Sequence, residues 1–125
     1  MEEWQLDFEW LRIRHLVKDK LKQDKLPDLN AILLLIGIQE TNIVRPTYSK
    51  EEKQDLMHVA VCSLLAQDGY FELEGRDQDG WPHFVQRKSV ETQGEQEQET
   101  FLKSLAIRYF STYYSDLFSD QNYSK

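Results

Sequence analysis

The chain has 125 residues, with 15 basic and 22 acidic side chains and a formal net charge of −7. This length supports one hydrophobic core without disulfides or metal, and we predict a single domain over residues 1–125. The negative charge repels phosphate backbones, which makes nucleic acid an unfavourable partner.

The single cysteine excludes an internal disulfide and favours a reducing compartment. The first residues are acidic where a signal peptide would be basic, so we expect a cytoplasmic protein. The longest apolar run covers residues 31–38 and is too short to span a bilayer. We therefore predict no membrane association.

Residues 1–25 predict the first helix, α1. Its apolar stripe recurs at steps of four, three, four and four, at Leu6, Trp10, Ile13, Val17 and Leu21. A strict apolar alternation over residues 4–10 also fits a half-buried strand, and this alternative stays open. A second apolar patch lies off the main stripe, at Trp4, Phe8 and Leu11. Two patches predict that the start of α1 makes contacts on two sides.

The charges of α1 are sorted, with acidic residues first and basic residues later. That order complements the helix macrodipole at both ends. A solvated helix end explains the later basic residues better than a nucleic-acid contact does.

Residues 27–40 predict α2. Pro27 suits a first helical position, and the segment that follows is apolar nearly all round, which is typical of a central helix. Gly37 is unfavourable inside a helix, so we expect another helix to pack closely against it.

Residues 49–68 predict α3. Ser49 and Glu52 have the spacing of a capping box, and Gly69 supplies a left-handed residue beyond the helix. Residues 70–87 then predict a β-hairpin whose tight turn falls at Asp79-Gly80. Because proline cannot donate a backbone hydrogen bond, Pro82 fits an edge strand or the first residue of the second strand.

A polar linker leads to α4, predicted over residues 95–116, and residues 119–125 are expected to form a frayed tail. The predicted fold class is therefore α+β and mainly α. It has four helices, with a two-stranded antiparallel β-hairpin between α3 and α4.

Two motifs invite a metal site. Residues 77–80, Asp-Gln-Asp-Gly, resemble part of a calcium loop, but Gly75 and Gln86 stand where two oxygen donors are needed. His58 and Cys62 lie four residues apart and are weak candidates for sharing a transition metal, because the spacing supplies no further ligand. We predict no metal and no cofactor.

Enzymatic activity is disfavoured on similar grounds. Cys62 lies in an apolar helical segment, where a thiolate is unstable, and no phosphate-binding glycine pattern or nucleophile elbow is present. We predict no catalytic residues, and a metal-dependent or small-molecule enzyme is the second alternative function.

The order of three helices and a hairpin over residues 1–87 resembles the winged-helix DNA-binding architecture. This resemblance implies a transcriptional regulator, which is the first alternative function. However, α3 begins with the sequence KEEKQD, and the hairpin carries as many acids as a DNA-binding wing should carry bases.

Aromatic residues concentrate near both ends of the chain and on the hairpin. Tyrosine and tryptophan are favoured where an apolar surface must tolerate water. The main prediction is therefore a non-catalytic interaction or structural domain that binds a protein partner or forms a homodimer through α1 and α4. The interface candidates are Trp4, Phe8, Trp81, Tyr109, Tyr113 and Tyr114.

Overall fold

The structure is a computed structural model, and it describes residues 2–114. Within these residues the order is α1 (Glu3–Leu21), α2 (Leu29–Thr41), α3 (Lys50–Ala66), β1 (Phe71–Arg76), β2 (Pro82–Gln86) and α4 (Gly94–Tyr113). This confirms the predicted α+β, mainly α fold with the hairpin between α3 and α4. No helix in the described part is long and apolar enough to cross a membrane.

All four helices contribute to one hydrophobic core. The contribution of α1 consists of four of the five predicted residues, Leu6, Trp10, Ile13 and Val17, whereas the fifth, Leu21, is 45 % exposed. Residues 4–10 are helical rather than extended. These side chains are buried together because steps of three and four keep them on the one side of the helix that faces the core. The largest fully buried side chains are Ile13, Ile32, Ile36, Leu56 and Leu64.

The helix α1 ends at Leu21, four residues before the predicted boundary. Lys22 takes a left-handed conformation, with φ 54° and ψ 48°, and its backbone N–H donates to the Asp19 carbonyl. The connection to α2 then returns along α1, where Arg14 Nε donates to the Pro27 carbonyl at 2.8 Å. The Arg14 side chain thus holds the segment before α2 against α1.

The contact between α2 and α3 brings the two backbones together. A Cβ atom built at Gly37 would overlap the Leu56 carbonyl, which confirms the expected close packing at this glycine. The ends of both helices follow local hydrogen bonds. Asp28, rather than Pro27, precedes α2 and caps it by accepting from the Ala31 N–H.

The predicted capping box of α3 is present. Ser49 Oγ accepts from the Glu52 N–H at 3.1 Å, and Glu52 Oε1 accepts from the Ser49 N–H at 2.8 Å. Two of the backbone N–H groups at the start of the helix are satisfied in this way.

The hairpin turn lies one residue earlier than predicted. Gln78 and Asp79 occupy its centre, and Gly80, at φ 90°, follows them and donates to the Asp77 carbonyl. The reason is Asp77, whose Oδ1 accepts from the backbone N–H groups of Asp79 and Trp81. An aspartate that binds its own following backbone fixes the start of the turn.

The hairpin and α4 both reach the end of α2. Arg76 of β1 donates to the Glu40 carbonyl, and the Tyr109 hydroxyl of α4 donates to Glu40 Oε2 at 2.8 Å. The predicted end of α4 at residue 116 and the predicted tail at 119–125 lie outside the described residues.

Candidate functional site

An exposed apolar stripe runs along α1. The exposed fractions of Trp4, Phe8 and Leu11 are 68, 60 and 43 %. These residues are separated by four and three positions, which places them on one side of the helix. A rotation of about 100° per residue puts this side roughly opposite Leu6, Trp10, Ile13 and Val17. We call Trp4, Phe8 and Leu11 the α1 stripe.

The α1 stripe borders a depression between α1 and α4. Its walls include Trp4 and Phe8, and α4 contributes Ile107 and Ser111. Ile107 is buried, whereas Ser111 is exposed, so the apolar lining continues from the surface of α1 towards the core. The apolar surface that another molecule could contact here therefore belongs mainly to Trp4 and Phe8, with Ile107 beneath them.

Charges change sign along the same side of α1. Glu3 and Asp7 are exposed beside the first half of the stripe, and exposed His15 and half-buried Lys18 continue it beyond Leu11. Arg12 pairs with Glu9 at 3.1 Å. The exposed side of α1 thus has an acidic beginning and an apolar middle, followed by His15 and Lys18 with exposed Asp19 beside them.

The aromatic residues of α4 differ in exposure. Tyr109 is 2 % exposed, and its ring lies 4.6 Å from the Tyr113 ring and 5.6 Å from the Phe110 ring. Burial and the neighbouring Glu40 carboxylate raise the pKa of Tyr109. The sequence places Tyr109 among the interface candidates, but in the structure it is a core residue whose hydroxyl contacts Glu40 at the end of α2.

Tyr113, Tyr114 and Trp81 are the other candidates outside α1. Tyr113 is 59 % exposed, whereas Tyr114 is half-buried, stacks on Phe110 and donates to Gln39. Burial also raises the pKa of Tyr114. Trp81 is partly buried beside the hairpin turn, where its backbone N–H donates to Asp77. Among these three, only Tyr113 offers most of its side chain to solvent.

His58 and Cys62 are neighbours on α3, with 3.7 Å between Nε2 and Sγ. His58 is exposed and Cys62 is buried, and this burial raises the pKa of the thiol. Within residues 2–114, no group of three or more His, Cys, Asp or Glu side chains is arranged to hold a metal ion. The pair therefore has the geometry of a weak contact between a surface histidine and a core thiol.

Two acidic residues of the hairpin, Asp77 and Glu72, have partners within or directly beside it. His83 Nε2 lies 3.1 Å from Asp77 Oδ2, and the backbone N–H of Trp81 donates to the other carboxylate oxygen. The hydrogen bond with His83 is the main reason that the pKa of Asp77 is lowered. Arg87 and Glu72 also form an ion pair across the two strands. These carboxylates have local structural partners, so they do not converge on a site.

Sequence reasoning identified the aromatic members of the α1 stripe but left Leu11 out of the candidate set. The periodicity already contained this residue, since Leu11 follows Phe8 by three positions. Sequence reasoning also assigned the order of charges only to the helix dipole. The contribution of Ile107 and Ser111 had no sequence signal, because it depends on how α4 crosses α1.

No protein-family model, curated protein or solved structure matches this chain.

Proposed function

We propose that this chain is a non-catalytic protein-interaction domain that self-associates through the α1 stripe. The observation that carries the proposal is the exposure of Trp4, Phe8 and Leu11 on the side of α1 opposite the core. Single exposed apolar residues are normal on protein surfaces, but a contiguous row on one helix face is typical of an interaction site.

The residue types also support an interface. Tryptophan is among the residues that contribute most to binding energy, and large aromatic rings lose little conformational entropy when they are ordered. Exposed Ser111 of α4 borders the same depression, and buried Ile107 lies beneath it. The α1 stripe therefore forms an apolar centre with charged residues around it, as protein interfaces do.

The proposed role is non-catalytic because most of the candidate groups have structural partners. Asp77 and Glu72 are bound within the hairpin, and His58 and Cys62 contact each other on α3. No described pair combines an activated nucleophile with an oriented base, which nucleophilic catalysis requires.

Light scattering after gel filtration tests the proposal over a range of protein concentrations. We expect the molar mass of the wild-type chain to rise from monomer to dimer with concentration. The double variant Trp4→Ala/Phe8→Ala should stay monomeric. The matched control is Val44→Ala/Leu73→Ala, which truncates two other apolar residues that are 76 and 46 % exposed.

The control should dimerise as the wild type does, and all three proteins should melt at the same temperature at a concentration where each is monomeric. A wild-type chain that stays monomeric at millimolar concentration would contradict the proposal. Equal loss of dimer in both double variants would also contradict it, since the effect would then not belong to α1.

A further inference from the structure

We infer that two copies of the chain pair through antiparallel α1 helices, with Leu11 at the two-fold axis. This inference rests on the proposed self-association and adds its orientation. The exposed side of α1 reads Trp4, Phe8, Leu11, His15 and Lys18 at steps of four, three, four and three. Leu11 is the midpoint of that series. A two-fold interface is self-complementary, so its axis must pass through the middle of the surface.

The antiparallel arrangement places complementary groups opposite each other. With Leu11 facing the partner's Leu11, Trp4 lies at the level of the partner's Lys18. An ammonium group over a tryptophan ring is a favourable contact. The chain already makes one such contact internally, with Lys103 Nζ 5.6 Å from the centroid of the Trp10 ring.

The acidic residues beside the stripe support the same orientation. In an antiparallel pair, the same flank of each helix faces its counterpart. Asp7 and Lys18 differ by about 20° around the helix and therefore share a flank. Asp7 lies about 4.5 Å along the axis from the level of the partner's Lys18, within reach of a lysine side chain.

A parallel pair would oppose like charges. Each residue would lie at the level of its own copy, so that the acidic beginnings of the two helices would lie side by side and Asp7 would be far from the partner's Lys18. Like charges across an interface disfavour that arrangement. The antiparallel pair is therefore favoured, because it brings Asp7 of one helix near Lys18 of the other.

The size of the surface indicates weak association. Trp4, Phe8 and Leu11 together expose on the order of 300–400 Å² of side chain. Each partner in a standard interface buries about 800 Å². The charged flanks must supply much of the remainder, so we expect dimerisation to weaken as salt is added.

Charge reversal tests the orientation in sedimentation experiments on the full chain. In the antiparallel pair, Asp7→Lys places a lysine near the partner's Lys18, and Lys18→Glu places a glutamate near the partner's Asp7. Each single variant should dimerise about three- to tenfold more weakly than the wild type. The double variant Asp7→Lys/Lys18→Glu should dimerise more tightly than either single variant, because it restores the charge pair, although it lacks the Lys18 ammonium beside the partner's Trp4.

Cysteine cross-linking provides an independent measurement. Under mild oxidation, Leu11→Cys should form a disulfide-linked dimer, whereas Lys18→Cys should not, because only residue 11 meets its own copy. The wild-type chain is the control for Cys62, which is 3 % exposed. Circular dichroism should show unchanged helix content in every variant.

The outcomes separate this inference from the proposed function. A dimer that is indifferent to the single charge reversals and that cross-links through Lys18→Cys would overturn the antiparallel pairing but leave self-association intact. A wild-type chain that does not dimerise would overturn both. A dimer that survives Trp4→Ala/Phe8→Ala but depends on Tyr113 would place the interface on α4 and also overturn the pairing.

Discussion

The helices α1 and α2 are both apolar on more than one side, but only α2 has its apolar sides largely covered. Outside the main buried face of α2, the side chains of Leu34, Leu35 and Ile38 are half-buried. On α1, Trp4 and Phe8 are more than half exposed. The two helices therefore place the same kind of residue in different surroundings.

The difference follows from the neighbours of each helix. Gly37 lets the backbone of α3 approach α2, and both the hairpin and α4 bind the last turn of α2 through Glu40. The described neighbours of α1 lie mainly on its core side. In a domain of this size the core cannot cover every apolar side chain. The second apolar face of α1 is the surface on which the proposed self-association depends.

The largest expected effect sharpens the contrast between the two sides of α1. Ile13 is fully buried, so Ile13→Ala should lower the free energy of unfolding by about 2–5 kcal/mol through lost burial and a cavity. Leu11→Ala, on the opposite side, should change it by less than about 0.5 kcal/mol. Urea unfolding at a concentration where the chain is monomeric measures both. Similar losses in the two variants would show that the α1 stripe is part of the monomer core.

The next largest effect is expected from a substitution at the close contact between α2 and α3. In an ordinary helix, glycine to alanine stabilises by about 1 kcal/mol. At Gly37 the new methyl group would meet the Leu56 carbonyl, and we expect Gly37→Ala to destabilise by about 1–3 kcal/mol instead. The control is Ala31→Gly at an exposed position of the same helix, with an expected loss of about 1 kcal/mol. A stabilising Gly37→Ala would mean that the backbones do not meet there.

Local patterns predicted most of the fold. The apolar steps of α1 and the capping box at Ser49 and Glu52 depend on neighbours close in sequence. The close contact at Gly37 was predictable because a glycine is costly inside a helix unless another backbone approaches it. The early end of α1 at Lys22 was not predictable, because lysine has no particular preference for a left-handed conformation. The turn at Asp77 was placed one residue late, since the sequence does not show which backbone groups a carboxylate will bind.

The candidate site was less predictable than the fold. Periodicity separated two apolar sides of α1 but did not show which of them would be covered. The burial of Tyr109 depends on Glu40, which lies 69 positions earlier in the sequence. A contact of that kind is fixed by tertiary packing, so the same residue type served as core at Tyr109 and as surface at Tyr113.

The smallest expected effect concerns this contact between α4 and α2. Tyr109→Phe removes the hydroxyl that donates to Glu40 and should cost about 1 kcal/mol near neutral pH. Burial keeps the pKa of Tyr109 above its ordinary value of 10.0, which the unfolded chain retains. Above pH 10 the unfolded chain therefore releases this proton first, which favours unfolding. The contribution of Tyr109 to the free energy of unfolding is fully present below pH 10 and falls as the pH rises above it.

Tyr109→Phe should reduce that alkaline loss, and Tyr113→Phe, at an exposed position, should leave it unchanged. Urea unfolding at neutral pH and above pH 10 measures both quantities. If the two variants lost stability with pH equally, Tyr109 would titrate as an exposed tyrosine does. The buried contact between the Tyr109 hydroxyl and Glu40, which helps to cover the end of α2, would then be absent.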